Sequence, residues 1–191
     1  MNPADLQKGD ALLVVDIQND FCPGGSQGIE AGDEVIPVLN RWIRRAHEMG
    51  IPTFLSRDWH PVNHISFKER GGPWVSHCVQ NTRGAEFHPD LFVPKTAVLI
   101  HKANTPDNES YSAFGATPLA RLLKEAAVSR LWIGGLALDY CVVESALDAI
   151  KQGLEVHVLI DATRAVNMKP GDDGLAIQRM QAAGVHIDRG E

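Results

Sequence analysis

The sequence predicts an α/β protein, a three-layer α/β/α sandwich around a central, mainly parallel six-stranded sheet. Three observations carry that expectation. Apolar strand-like runs alternate with helix-period segments along the chain, a βαβα rhythm that favours parallel pairing with right-handed crossovers. The strand runs are continuously apolar, as strands covered on both faces should be. With 191 residues, 44% of them hydrophobic, the chain can bury one substantial core, and it reads as a single domain over 1–191.

Ala11-Leu12-Leu13-Val14-Val15 is the first buried strand. Glu34 to Met49 follows as a helix, with Val35, Ile36, Val38, Leu39, Trp42, Ile43 and Ala46 on its inner face and Gly50 as its stop. Ile51 to Ser56 is the second strand and Thr96 to Ile100 the third. Pro118 to Ala127 is helical, and Leu131-Trp132-Ile133 is the fourth strand. Cys141 to Gln152 is a helix, Leu154 to Ile160 the fifth strand, Gly171 to Ala183 a helix, and Val185-His186-Ile187 a short last strand. Between Trp59 and Pro94 runs a long irregular excursion rich in His, Gly, Pro and Asn, and such excursions inside a compact domain usually carry function.

The formal net charge of −6, with both signs mixed, disfavours a nucleic-acid or anionic-membrane surface as partner. No apolar run approaches the length that spans a bilayer, and Met1 to Lys8 lacks the basic and apolar regions of a signal peptide. Three cysteines are an odd number and too few for a disulfide framework, so a reducing cytoplasm is the expected setting. Sequence alone leaves a homo-oligomer open.

Doubly wound sheets place their sites beyond the carboxyl ends of the strands. That directs attention to Asp16, to Arg57-Asp58, to His101-Lys102, to the glycines and Cys141, and to Asp161. Cys141 stands between a strand and a helix, where free N–H groups and the helix dipole favour thiolate; a small packing hydrophobe would suit the same position. Asp16 is either a general base for a nucleophile on a neighbouring strand or the cap of the next turn. Asp20 competes for that role and is expected to hold the loop instead. Lys102 is either solvated or a cation that stabilises a carboxylate and a thiolate. Together the three could perform acyl transfer.

A second signal is metal-like. Asp58 and His60 are two residues apart, and His77 follows after an irregular loop; one carboxylate and two imidazoles suit Zn²⁺, Fe²⁺ or Mn²⁺. A D-x-H spacing is weak by itself, since surface histidines are common. His64, Glu69 and His88 are near enough in sequence to add a ligand, whereas Cys22 and Cys78 read as structural.

Taken in order, these motifs resemble the isochorismatase-like cysteine hydrolases, and within them the nicotinamidases. The likeness is carried by Asp16 to Gly25, by Arg57-Asp58-Trp59-His60-Pro61 with Asn63 to Phe67, and by Trp74 to Val79. Lys102, Ser110 to Phe114, and Gly134 to Val142 complete it. The resemblance implies a Rossmann-like fold and a catalytic triad of Asp16, Lys102 and Cys141. It implies one divalent metal, Zn²⁺ foremost, on Asp58, His60 and His77. A non-proline cis peptide before Ala137 is implied too, with the backbone N–H groups of Ala137 and Cys141 as oxyanion hole. Phe21, Trp74, Tyr111 and Ala137 are implied to line the substrate pocket. Family members often have proline where this chain has Val75, and the fourth metal ligand varies among them, with His64 the first candidate here and Glu69 the second.

The implied activity is hydrolysis of a pyridine carboxamide, nicotinamide with pyrazinamide beside it, through a thioester on Cys141. Two rivals stand. One is a metal-independent amidohydrolase of the same superfamily acting on N-carbamoyl compounds or ureides. The other is a non-catalytic metal-binding or redox-sensing protein using Cys22, Cys78 and Cys141.

Overall fold

The computed structural model describes residues 3–190, organised about one parallel sheet. Its strands are β1 (Asp10–Val15), β2 (Thr53–Asp58), β3 (Val98–Lys102), β4 (Arg130–Leu136), β5 (Glu155–Arg164) and β6 (His186–Asp188). Across the sheet they run β3-β2-β1-β4-β5-β6, every pairing parallel. The chain thus winds outward from β1 on one side and from β4 on the other, which leaves a crevice at the carboxyl ends of these two central strands.

Strand alternation divides the core. Leu12, Val14, Leu55, Trp132 and Leu159 face α1 (Ile36–Met49), which buries Leu39, Trp42, Ile43 and Ala46 against them. Ala11, Leu13, Val15, Ile133, Val156 and Val158 face the other layer. That layer consists of α2 (Leu119–Glu125), α3 (Val143–Lys151) and α4 (Asp172–Ala182), contributing Leu119, Leu123, Val143, Ala146, Ala149, Ala176 and Met180. Each buried Leu, Ile, Val or Met side chain among these stabilises the fold by about 1.5–3 kcal/mol. Because both faces are covered, the central strands show no polar alternation in the sequence. Gly50 ends α1 in the left-handed conformation, φ +68°, as expected of a C-terminal glycine.

Several boundaries differ from the sequence expectation. A 3₁₀ turn, Gly32–Val35, precedes α1, so Glu34 and Val35 lie outside the helix. β3 runs two residues later than Thr96–Ile100, and as an edge strand it leaves Val98 and Leu99 exposed. β4 continues through Gly134 and Gly135 to Leu136. At Gly135 φ is +129°, and a Cβ there would run into the backbone of Val15, so glycine is what keeps the two central strands paired to their ends. β5 extends to Arg164, which puts Asp161 inside the strand. Its Oδ1 accepts the Gly190 N–H at 2.6 Å, so Asp161 secures the C-terminal segment and does not stand at the strand's carboxyl end. Finally, Cys141 does not open an α-helix: it lies within a single π-helical turn, Leu138–Val142, and α3 begins after it.

Residues 59–97 contain no β-strand or α-helix, only 3₁₀ turns at Lys68–Arg70 and Arg83–Ala85. Among the described residues no helix is long and apolar enough to cross a membrane.

Candidate active site

The crevice gathers the ends of four strands. Asp16 follows β1, Asp58 ends β2, Lys102 ends β3, and Cys141 lies five residues past β4. Asp16 takes the left-handed conformation, φ +50°, which turns the chain sharply and lets the Gln18 N–H reach the Asp16 carbonyl at 2.8 Å. Its side chain does not cap that turn. Oδ1 accepts the Ser56 hydroxyl at 2.7 Å, and Oδ2 stands 3.0 Å from Lys102 Nζ. Lys102 Nζ also contacts Asp58 Oδ1, and lies 3.4 Å from both Cys141 Sγ and the Ser110 carbonyl. The two carboxylates and the sulfur lie within 4.8 Å of one another. All four side chains are buried.

Burial without exchange of ions sets the charge states. Asp16 is raised above the usual carboxylate range by desolvation, which outweighs the attraction of Lys102. Lys102 pays the same desolvation, yet Asp16, Asp58 and Cys141 around it hold its proton well above the ordinary lysine range. Cys141 is pushed well above the ordinary thiol range by burial, and the two carboxylates add to this against Lys102. The strand–helix junction is expected to favour thiolate, and burial in the crevice opposes it by raising the Cys141 thiol. Beside the sulfur stands Asp16, a carboxylate that burial makes more basic than usual.

Asp58, His60 and His77 bring one donor atom each within 4.8 Å of one another, all three residues buried. Asp58 Oδ2 lies 3.4 Å from His60 Nε2 and 3.9 Å from His77 Nε2. Desolvation alone would raise Asp58, but Lys102, His60 and His77 together hold it far below the carboxylate range, as a permanent anion. Both nitrogens of His60 are buried with no hydrogen-bond partner. His77 Nδ1 donates to the Val75 carbonyl at 2.8 Å, which orients Nε2, the opposite nitrogen, toward Asp58. Orphaned buried imidazole nitrogens cost stability unless a Lewis acid takes their lone pair, so this donor set fits a divalent cation.

The sequence assigns no site role to Gln18 or Ser56. Gln18 is buried and clamps Asp58 from both sides: its Oε1 accepts the Asp58 N–H and its Nε2 donates to the Asp58 carbonyl, each at 2.8 Å. A third bond, 3.0 Å, goes to the Ala85 carbonyl. The available signals were a glutamine two residues after Asp16 and a serine inside the apolar second strand. His64 is buried against His60, ring centroids 4.2 Å apart, but its nitrogens face Ser66 Oγ at 2.7 Å and the Asn108 carbonyl at 3.1 Å. Glu69 Oε2 lies 3.5 Å from the Ser76 hydroxyl, and His88 accepts the Asp90 N–H. None of these three joins the Asp58 group.

Asp20 holds the loop, as expected, accepting the Cys78 N–H at 2.7 Å and the Ser26 N–H at 3.3 Å. Arg57 lies over the Trp59 ring, 3.9 Å from its centroid, and bonds His101, so both belong to a surface cluster beside the crevice. Cys22 and Cys78 are buried; burial raises Cys22 to about 11 and Cys78 well above the ordinary thiol range.

A cleft with about 520 Å³ of free space, mouth included, opens onto Cys141, Asp58 and His60. Phe21, Trp74, Tyr111 and Ala137 line it, together with Tyr140. Trp74 donates to Tyr111 Oη at 3.0 Å, and both rings meet Tyr140 edge-on, with centroids 5.2 and 5.3 Å away. The peptide bond between Leu136 and Ala137 is cis. The Ala137 carbonyl accepts from the Tyr140 and Val142 N–H groups at 3.2 and 3.0 Å, which winds the turn bearing Cys141.

The isochorismatase domain model matches residues 10–189. A nicotinamidase of Escherichia coli is 40% identical over 198 residues, covering 93% of this chain and 93% of its own. Among solved structures, a pyrazinamidase of Pyrococcus horikoshii in complex with zinc superposes with a TM-score of 0.91 at 49% identity, over 95% of this chain and 99% of that one. A protein of L. infantum in complex with nicotinate superposes at 0.87 with 34% identity, over 95% of this chain and 93% of its own.

Proposed function

The chain belongs to the isochorismatase domain family, and within it we propose that it is a metal-dependent cysteine amidohydrolase converting nicotinamide to nicotinate and ammonia. The observation that carries this reading is convergence. The Asp58/His60/His77 donor set and the Cys141 sulfur open onto one aromatic cleft, and Lys102 joins the two groups. When bound there, a divalent metal, Zn²⁺ foremost, supplies a Lewis-acid anchor for a ring nitrogen.

The chain's own residues divide the remaining work. Phe21, Trp74 and Tyr111 receive the flat pyridine ring and exclude water from it. Asp16 takes the Cys141 proton as sulfur attacks the amide carbon. The N–H groups of Ala137 and Cys141 hold the developing oxyanion, one such donor being worth about 3–4 kcal/mol in k_cat. Asp16 then passes its proton to the amide nitrogen, the C–N bond breaks, and ammonia leaves a thioester. Water, deprotonated by Asp16, attacks that thioester; the C–S bond breaks and the proton returns to sulfur. Lys102 keeps its charge throughout, countering Asp16 and the transient thiolate. The product serves pyridine-nucleotide salvage, and a cytoplasmic setting accompanies it.

The redox-sensing reading loses ground because all three cysteines are buried and burial raises each thiol, whereas sensor cysteines are exposed thiolates. The N-carbamoyl reading leaves the donor set without a purpose. Ammonia release across nicotinamide, pyrazinamide and N-carbamoyl compounds, with metal analysis of the same sample, separates them. Release from the two pyridine-type amides with about one metal per chain is expected. Release from N-carbamoyl compounds alone, or from no amide at all, overturns the reading.

A further inference from the structure

We propose that a second divalent-metal site lies at the other end of the sheet, formed by Glu155, His157 and His186 and steadied by Asp188. It would take borderline cations such as Zn²⁺, Ni²⁺ or Cu²⁺, which favour imidazole with carboxylate.

Register builds the group. His157 of β5 pairs with His186 of β6, and Leu159 pairs with Asp188. The two-residue period of a strand then puts Glu155 and His157 on one face of β5, with His186 and Asp188 beside them on β6. Glu155, His157 and His186 bring one donor atom each within 4.8 Å of one another. These residues lie at the start of β5 and on edge strand β6, whereas the catalytic crevice is built at the carboxyl ends of β1 to β4.

His157 supplies the independent argument for a cation. Its side chain is 6% exposed and packed between Trp132, 4.3 Å between centroids, and His186, 4.6 Å. Both its nitrogens face carboxylates: Nδ1 is 2.6 Å from Asp188 Oδ2, and Nε2 is 3.0 Å from Glu155 Oε1. A neutral imidazole carries one N–H and so serves only one acceptor. With the proton on Nδ1, facing Asp188 across the shorter contact, the Nε2 lone pair would be aimed at an anionic oxygen. A metal between Nε2 and Glu155 resolves that opposition. Asp188 then plays the part that carboxylates play behind metal-bound histidines, fixing the tautomer and the ring. Arg130, opposite Glu155 on the neighbouring strand, attracts it, but its guanidinium hydrogen-bonds both oxygens of Asp10 at 2.8 Å. His186 is exposed, and its ring stacks on that of His157.

The alternative is a second proton on His157, which would satisfy both carboxylates without metal. Zinc titration distinguishes them. Protein whose Asp58/His60/His77 group is already loaded is titrated with further Zn²⁺ by calorimetry at neutral pH, alongside loaded Glu155→Gln and His186→Gln variants. The expected result is a second equivalent per chain in the native protein, lost or at least tenfold weaker in both variants. With Cu²⁺ as the ion added to zinc-loaded protein, the second site should give an electron paramagnetic resonance spectrum with nitrogen coupling, lost or weakened in His186→Gln. Saturation at one equivalent in the native protein overturns the proposal, as does a second equivalent that survives in both variants. Both substituted residues are exposed, and circular dichroism of the variants checks that the fold is retained.

Discussion

Lys102 is the residue on which the catalytic account turns. It is a buried cation held between two buried carboxylates and a sulfur, and through Asp58 it joins the proposed metal-binding group to the proposed nucleophile. Such a cluster is stable only when its charges are matched, because an unpaired buried ion costs several kcal/mol. Around it the roles separate. Cys141→Ala should lower nicotinamide turnover by at least about 10³-fold, as loss of a nucleophile does, while calorimetry finds nicotinamide binding little changed; undiminished turnover would exclude covalent catalysis. Ser56→Ala removes the hydroxyl that fixes Asp16 Oδ1. A hydrogen bond to a charged group is worth about 1.5–3 kcal/mol, so k_cat should fall by about tenfold or more with KM nearly constant. An effect on KM alone would contradict the positioning of Asp16 by Ser56.

At the scale of elements, three loops and a π-helical turn are stitched to the rigid sheet by a few buried side chains. Asp139 accepts the Val166 and Asn167 N–H groups at 2.9 and 2.8 Å, tying the turn that bears Cys141 to the segment after β5. Ser145 of α3 accepts the Ala113 N–H at 2.9 Å and so anchors the loop carrying Tyr111. Gln18 does the same for the metal loop. Gln18→Ala leaves three buried backbone groups without partners, so it should destabilise the protein by about 2–4 kcal/mol and weaken zinc affinity by about 10–100-fold. Thermal melts and competitive chelation read these two effects, and native zinc affinity in the variant would refute the clamp. These stitches explain what the sequence hid. Strand ends are legible because an apolar run stops at a charged residue, as at Asp16 and Lys102. Gln18 and Ser56 act through backbone and carboxylate partners about forty residues away, and no local period marks such pairings. The π-turn was illegible for a related reason: Leu138 to Val142 has the composition of any helical start, and its winding is set by the Ala137 carbonyl and by Asp139's contacts beyond β5.

At the scale of the molecule, the doubly wound order decides where chemistry can occur. Because β1 and β4 are neighbours, Asp16 and Cys141 meet although 125 positions apart, and β2 and β3 deliver Asp58 and Lys102 to the same crevice. That these residues stand at the carboxyl ends of strands in one parallel sheet followed from continuous apolar strands and right-handed crossovers; the strand order did not. The extent of β5, and with it the position of Asp161, did not, because that strand's last residues are buried by the C-terminal segment and the α1 layer rather than marked by composition. The fold also makes metal and nucleophile parts of one cleft. Stripping the metal to a verified zero should therefore raise the KM for nicotinamide by at least about tenfold, in line with loss of one strong anchor worth ~1.4 kcal/mol or more. Unchanged kinetics would contradict ring anchoring at Asp58, His60 and His77.

The central claim is that Cys141 attacks a pyridine carboxamide and carries its acyl group. Acid-quenched intact-mass measurement during nicotinamide turnover tests this most directly. The expected result is a transient nicotinoyl adduct that maps to Cys141, disappears when substrate is exhausted, and is absent from Cys141→Ala. Rapid ammonia release with no adduct at any quench time, or an adduct that persists in Cys141→Ala, would contradict it.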